Sequence, residues 1–432
     1  MTDPDQLVRE ALGGDVTHIQ RLSGGASRQT WAVDLRREGE QQQLVLQRER
    51  PGNVGTGLGM AGEAALLRAA HRAGVPVPRV VADGEGWVIT ERVEGETIAR
   101  RILRDDPYER ARSVLAGQCG RALARVHRIE PDEVPGLSGD DQLVQFGELL
   151  EALGEPHPAL ELGLRWLGAN RPPGEAGVVV HGDFRNGNFV VGEDGLRAVL
   201  DWELAHLGDP IEDLGWICMR AWRFGGEPPV GGFGTREDLV EAYEAESGRT
   251  VAPEALRWWE ALGTVRWGVI CILQARAHLD GLSRSVELAT IGRRVCETEH
   301  DLFLLLPGER PPPVAPTSGP VEGPHDRPTA GELAEAVREF LDEDVREATE
   351  GSVRFHARVA ANAVAMVERE LALGPAIAEA HRARLERLGF GSDPELAAAI
   401  RAGELDDRFD EVKATVWETV LDKLAVANPS YP

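Results

Sequence analysis

The feature that most constrains this chain is the stretch Val178-Val179-Val180-His181-Gly182-Asp183-Phe184-Arg185-Asn186-Gly187-Asn188-Phe189-Val190-Val191, which runs on to Ala198-Val199-Leu200-Asp201-Trp202. Two short apolar runs, Val178 to Val180 and Phe189 to Val191, flank a polar loop and read as buried strands. A third, Ala198 to Leu200, delivers Asp201 at its end, and Gly195 marks the turn of a hairpin between the second and third. Asp183, Asn188 and Asp201 are then expected to converge at one end of a small sheet. Metal-assisted phosphoryl transfer asks for such a set: a carboxylate to receive a hydroxyl proton, and oxygen ligands to hold Mg²⁺ on nucleotide phosphates.

The pattern His-Gly-Asp-x-x-x-x-Asn, with an Asp behind an apolar strand downstream, resembles the aminoglycoside phosphotransferase and choline kinase family. These are small-molecule kinases with a protein-kinase-like fold. The resemblance implies that Asp183 is the catalytic base, that Asn188 and Asp201 are the magnesium ligands, and that His181 buttresses the loop. Gly182 stands where protein kinases usually carry the arginine that answers a phosphorylated activation loop, so control by such phosphorylation is not expected. The implied fold class is α+β: a bilobal protein-kinase-like fold followed by an all-α helical bundle domain. Residues 1–95 would form the N-lobe and 96–308 the C-lobe. Residues 309–328 would be a Pro-rich linker and 329–432 a helical accessory domain.

Within the N-lobe, Ser23-Gly24-Gly25-Ala26-Ser27 falls between two strand-like runs and is similar to the phosphate lid of the family. Gly24, Gly25 and Ser27 would bring backbone N–H groups over the nucleotide phosphates. In the next strand, Leu44 to Arg48, the family places a basic residue on the phosphates, and here the sequence departs from the pattern. Alternation puts Val45 and Gln47 on one face and Leu46 and Arg48 on the other. Gln47 would then hold the lysine position, unless a one-residue bulge exchanges the faces. Lysine occurs only at Lys413 and Lys423, so an arginine must serve, and Arg48 is the candidate. Glu63, in the helix that Gly74 ends, would pair with that cation. Backbone groups of Glu91 and Val93, at the interlobe hinge, would meet the adenine edge, without distinguishing ATP from GTP.

Further on, Asp209-Pro210-Ile211-Glu212-Asp213-Leu214 reads as a helix start, with Asp213 fastening the catalytic loop. His127 reads as a packing residue. Glu203 and His206 lie close to the metal in this reading. The Gly/Pro-rich run Phe224 to Thr235 is long enough for a mobile cover or a substrate wall. Trp258, Trp259 and Trp267 sit at helical spacing and read as core.

A net charge of −25 argues against nucleic acid, which is bound through basic patches. No run of about 18 apolar residues predicts a membrane span, and Met1 to Glu10 has no secretory h-region. The four scattered cysteines read as buried thiols in a reducing cytoplasm, so a cytoplasmic location is expected.

After the prolines, amphipathic helices are expected from Thr329, from about Phe355 to Gly374, from Pro375 to Gly389, from Ser392 to Gly403, and from Arg408 to Val426. Thr329-x-x-Glu332 and Ser392-x-x-Glu395 read as capping boxes. Leu333, Val337, Phe340 and Leu341 would face inward, in a bundle able to fold alone. An oligomer or protein partner would engage through this domain. The expectation is an ATP- and Mg²⁺-dependent phosphotransferase acting on a hydroxyl of a small molecule: aminoglycoside-like, an amino alcohol or a hydroxyacyl compound. The alternatives are a nucleotide-binding pseudokinase, or a scaffold whose helical domain binds a partner.

Overall fold

The computed structural model describes residues 3–22, 28–49, 58–283, 285–311 and 329–431. Gly24, Gly25 and Ser27, the expected phosphate lid, lie outside the described residues.

Helix α1 (Pro4–Leu12) precedes a five-stranded antiparallel sheet. Its strands are β1 (Asp15–Leu22), β2 (Arg28–Arg37), β3 (Glu40–Glu49), β4 (Val80–Gly84) and β5 (Trp87–Glu91), ordered β1-β2-β3-β5-β4. Alternation sets the two faces. Trp31, Val33 and Leu35 of β2 and Leu44 and Leu46 of β3 share one face and bury there with Val8 of α1 and Ile89 of β5. Helix α2 (Gly59–Arg72) covers the other face, packing Met60 and Ala64 on Val88. The pairing runs without a shift from Arg28↔Glu49 to Arg37↔Glu40 and from Leu44↔Glu91 to Arg48↔Trp87. With no bulge in β3, Gln47, opposite Val88, stands on the α2 face, and Arg48 stands on the opposite one.

The chain continues through α3 (Ala99–Arg104), α4 (Glu109–Val126), α5 (Gln142–Leu153) and α6 (Pro158–Ala169). Short strands β6 (Val178–Val180), β7 (Phe189–Gly192), β8 (Gly195–Val199) and β9 (His206–Gly208) follow, then α7 (Ile211–Cys218), α8 (Arg236–Ser247) and α9 (Pro253–Leu279). The expected small sheet is two separate ribbons, because β6 pairs with β9 while β7 pairs with β8. The polar loop 181–188 carries the chain from one ribbon to the other. Glu96 exchanges backbone hydrogen bonds with Val191 of β7, both 2.9 Å, and so ties the segment after β5 to this region.

The last helices are α10 (Val286–Gly292), α11 (Val295–Leu305), α12 (Ala330–Phe340), α13 (Arg346–Ala348), α14 (Gly351–Leu388), α15 (Asp393–Ala402) and α16 (Phe409–Ala427). Contacts gather the chain into two compact units: residues 1–141 with 172–260, and residues 142–171 with 261–432.

In the second unit α15 and α16 pack on α6, α16 also on α11, while α12 packs on α14. Trp417 of α16 is buried against Phe303 of α11, with ring centroids 5.4 Å apart, and its indole N–H donates to His300 Nδ1 at 3.1 Å. Lys413 is 2% exposed and its ammonium donates to the carbonyls of Leu306 and Pro307. Lys423 donates to Glu299, which is fully buried and also bonded to His157 at 3.0 Å.

Three expectations for this region are corrected. The helix break at Gly374-Pro375 does not occur, and α14 runs through Pro375 for 38 residues; the flanking turns carry the helix past one missing N–H. Ser392 makes no side-chain cap, and the Glu395 carboxylate accepts from the Gly391 N–H at 2.9 Å, one residue before the expected partner. Leu333, Val337 and Phe340 are 50–56% exposed, as is Phe355 at 52%. Periodicity shows that a face is apolar, not that anything covers it. The capping box at Thr329 and Glu332 is present as expected. Among the described residues no helix is long and apolar enough to cross a membrane, and all four cysteines are buried thiols.

The Glu299 cluster makes acid stability testable. Burial alone would raise its carboxyl, but Lys423 and His157 hold it at about 2. Its native value lies below the unfolded one, so the stabilisation is complete above pH 4.5 and is lost as pH falls toward 2. Glu299→Gln should therefore lower the unfolding temperature near neutrality and flatten its decline below pH 4.5, measured by scanning calorimetry across pH.

Candidate active site

The loop between β6 and β7 is fixed from behind by one carboxylate. Asp213, on α7, is fully buried and accepts the His181 N–H at 2.8 Å on Oδ2 and the Gly182 N–H at 2.9 Å on Oδ1. His127, at the end of α4, donates from Nε2 to Asp213 Oδ2 at 3.2 Å and meets the Tyr243 hydroxyl through Nδ1 at 3.0 Å. Burial would raise the Asp213 carboxyl, yet these donors, with His127 foremost, hold it below the ordinary aspartate value. His127, expected only to pack, is thus part of the clamp.

Gly182 cannot be replaced at this point. Its φ is +77°, and a Cβ would lie 2.2 Å from the Leu204 carbonyl oxygen. The position where protein kinases carry arginine is therefore reserved here for backbone.

His181 accepts the Asp183 N–H on Nδ1 at 3.2 Å and donates from Nε2 to the Leu200 carbonyl at 3.1 Å. That pattern requires the neutral Nε2–H form, and burial pushes the imidazole pKa down in the same sense. Through Leu200 the histidine links the loop to the end of β8, where the Leu200 N–H also bonds the Asn188 carbonyl at 2.8 Å. Asp201 follows with φ +65°, a left-handed conformation rare outside glycine. Trp202, wholly buried against the His181 ring at 4.5 Å, closes the turn.

Asp183 is held by three side-chain donors. Its Oδ1 accepts from Arg185 Nε at 2.9 Å and Trp216 Nε1 at 2.8 Å, and its Oδ2 accepts from Asn188 Nδ2 at 2.7 Å. Arg185 also stacks on Trp222, 4.4 Å from the ring centroid. Asn186 donates to the Gly231 carbonyl at 2.8 Å, so the Gly/Pro-rich run 224–235, expected as a mobile cover or a substrate wall, is tied to the loop with Val230 and Phe233 buried. Arg185, Asn186, Trp216 and Trp222 were not singled out as site residues. The first two lie inside the motif itself, and Trp216 follows Asp213 by three residues on α7.

The other expected site residues are brought near to differing degrees. Glu63 is 2% exposed and its ion pair is with Arg28, the first residue of β2. Burial raises its carboxyl more than Arg28 lowers it. A second nitrogen of Arg28 lies 3.6 Å from Glu203. Arg48, expected to be the partner of Glu63, donates instead to Gln29 at 3.1 Å and lies over Trp31 at 5.0 Å, on the face away from α2. The unbroken β2–β3 register is the physical reason. Glu91 ends β5 with its N–H committed to the Arg79 carbonyl at 2.9 Å, and Val93 follows beyond the sheet. His206 is 5% exposed and bonded to Glu212 at 3.1 Å and to the Leu204 carbonyl, so it faces inward.

The donor set fits Mg²⁺. Asn188 Nδ2 is spent on Asp183 Oδ2 and the Asp183 carbonyl, which orients the amide and leaves Oδ1 as the atom for a cation. Asp201 is exposed to solvent by surface area, although its carboxyl lies among other carboxylates. Lost solvation, then the carboxylates of Glu203 and Asp183, push it up to about 7 against the pull of Arg28. Crowded carboxylates of this kind gain from a divalent cation. Among the described residues no three His, Cys, Asp or Glu side chains form a metal cage; nucleotide-bound Mg²⁺ needs only one or two side chains besides phosphate and water.

Residues 18–259 match the phosphotransferase enzyme family. The chain belongs to this family. Residues 347–431 match a domain of unknown function, DUF6285. Solved phosphotransferase structures are similar in fold. An aminoglycoside phosphotransferase-type protein from Ralstonia eutropha has a TM-score of 0.56 at 22% identity, over 70% of this chain and 96% of that one. A macrolide 2′-phosphotransferase from Brachybacterium faecium has a TM-score of 0.50 at 20% identity, over 67% and 96%. Among curated relatives, mouse acyl-CoA dehydrogenase family member 10 is 27% identical over 238 residues, 50% of this chain and 21% of the relative. Acyl-CoA dehydrogenase IBR3 of Arabidopsis thaliana is 27% identical over 228 residues, 46% of this chain and 28% of the relative. The chain therefore spans only about a quarter of the length of these relatives. The chain has the expected kinase-like fold, shared with these structures, followed by helices.

The Asp213 clamp gives a direct expectation for stability. Asp213→Ala would strand the His181 and Gly182 N–H groups and His127 in a dry interior. It should cost about 3–5 kcal/mol, the scale for breaking a buried charged network, read as a shift of the urea midpoint without a change in slope.

Proposed function

We propose that this phosphotransferase uses ATP and Mg²⁺ to move the γ-phosphoryl group onto a hydroxyl of a small molecule. The observation that supports this most is the pairing of Asp183, oriented by Arg185, Trp216 and Asn188, with the oxygen donors Asn188 and Asp201 on the adjoining turn. In this reading the acceptor hydroxyl donates to Asp183, which takes its proton as the new O–P bond forms and the bond to the departing ADP oxygen breaks. Mg²⁺, when bound through Asn188 and Asp201, would hold the phosphates in line and neutralise their charge. Gly24, Gly25 and Ser27 would cover the phosphates, and the backbone at Glu91 and Val93 would meet the adenine.

The acceptor would be aminoglycoside-like, an amino alcohol or a hydroxyacyl compound. The acyl-CoA dehydrogenase names of the mouse and Arabidopsis relatives favour testing hydroxyacyl compounds first. A second reading, a scaffold binding a partner through the helices, draws on the exposed Leu333, Val337, Phe340 and Phe355. If it holds, Phe340→Ser with Phe355→Ser should reduce self-association or pull-down of a partner while leaving phosphotransfer intact.

Two outcomes test the enzymatic reading. Asp183→Asn should lower kcat by about 10²–10⁴-fold, the usual share of a general base, with MgATP affinity changed little, as measured by calorimetric titration. Unchanged turnover would remove Asp183 from the chemistry. Protons should also compete with the cation for Asp201, whose carboxyl is pushed up to about 7 by lost solvation and the neighbouring carboxylates. The thermal stabilisation by ATP that depends on Mg²⁺ should therefore grow from about pH 6 to about pH 8, and Asp201→Asn should remove both that Mg²⁺-dependent stabilisation and its pH dependence.

A further inference from the structure

Strand β3 offers no cation to the face that α2 covers. Gln47 stands there, opposite Val88, while Arg48 lies on the other face against Gln29 and Trp31. Lysine is absent from the whole first unit, since Lys413 and Lys423 are the two in the chain. Yet Glu63, the α2 carboxylate, is buried and ion-paired, and its partner comes from the neighbouring strand. Arg28 opposes Glu49 in the ladder. By alternation it shares its face with Thr30, and Thr30 opposes Gln47, so Arg28 and Gln47 lie on the same side of the sheet.

We propose that Arg28 is the cation that meets the nucleotide phosphates in this phosphotransferase, doing from β2 what a lysine on the third strand does in protein kinases. The inference rests on the phosphotransfer reading above. Its guanidinium sits between two carboxylates that belong to different parts of the site. One nitrogen pairs with Glu63, and another lies 3.6 Å from Glu203, two residues past Asp201. That second distance exceeds a hydrogen bond, so a phosphate oxygen can compete with Glu203 for this nitrogen while Glu63 keeps its hold on the first. The planar arginine fork presents several N–H groups in fixed directions, which suits contact with a carboxylate on one side and a phosphate on the other. A longer side chain also compensates for its start on the neighbouring strand. Arg185 is engaged with Asp183 and Trp222.

The test is calorimetric titration of the full-length protein with MgATP, MgADP and adenosine. Arg28→Ala should weaken MgATP binding by about tenfold to a hundredfold, the range for a charge-assisted contact, and leave adenosine binding as in wild type. Arg48→Ala should bind MgATP as wild type does. Because Arg28→Ala leaves Glu63 buried without its partner, the double variant Arg28→Ala with Glu63→Gln removes that charge as well and should show the same loss of phosphate-dependent affinity with a restored unfolding temperature. Installing Gln47→Lys in the Arg28→Ala background should recover affinity, because residue 47 lies on the same face. Wild-type affinity in both Arg28 variants, or a loss that follows Arg48 instead, overturns the assignment while leaving phosphotransfer standing. A wild-type protein that binds no MgATP overturns both.

Discussion

Asp213 lies in a dry interior, accepts backbone N–H bonds from His181 and Gly182, and takes a third hydrogen from His127. The arrangement of the site follows from that clamp. With His181 fixed, its ring reaches Leu200 on one side and the Asp183 amide on the other. With Leu200 fixed at both its N–H and its carbonyl, the chain must turn sharply at the next residue, and Asp201 adopts a left-handed conformation it would not choose alone. The strain at Asp201 is thus maintained by packing well away from its own side chain. A buried network satisfied at every member is rigid for the same reason that it is intolerant of partial loss.

Charge is distributed to suit this frame. The chain is strongly acidic, and Asp183, Asp201, Glu63 and Glu203 crowd the site, with Arg28 and Arg185 set among them. Each arginine makes contacts in more than one direction: Arg185 with Asp183 and the Trp222 ring, Arg28 with Glu63 and toward Glu203. The planar fork suits this task better than an ammonium, which gives the arginine-rich composition a local structural meaning.

Much of the first unit was legible in the sequence. The spacing of His181, Asp183, Asn188 and Asp201 between apolar runs has few solutions, because strands buried on both faces allow little freedom of register. The role of Asp213 as a fastener was legible for the same reason. Alternation in β3 correctly set Gln47 against Arg48, but the partner of Glu63 was missed. An ion pair between a helix and the neighbouring strand depends on the β2–β3 pairing, and no local pattern carries that. The second unit was harder to read. Gly374-Pro375 has the local chemistry of a helix end, yet α14 continues, because tertiary packing outweighs one missing hydrogen bond. The sharing of a core among α6, α11 and α16 depends on contacts between residues more than a hundred positions apart, which periodicity cannot report.

The placement of the two lysines has a practical consequence. Lys413 is sealed beneath the carbonyls of Leu306 and Pro307, and Lys423 is held by Glu299; both belong to the last helix of the second unit. Acyl-phosphate nucleotide probes, which profile kinases by acylating an amine beside the bound phosphates, would find no lysine in the first unit to react with. If the first unit binds nucleotide, such a probe would have arginine and carboxylate side chains of that unit beside it, and no amine of a lysine. Reagents directed at guanidinium or carboxylate groups would be needed to tag that unit.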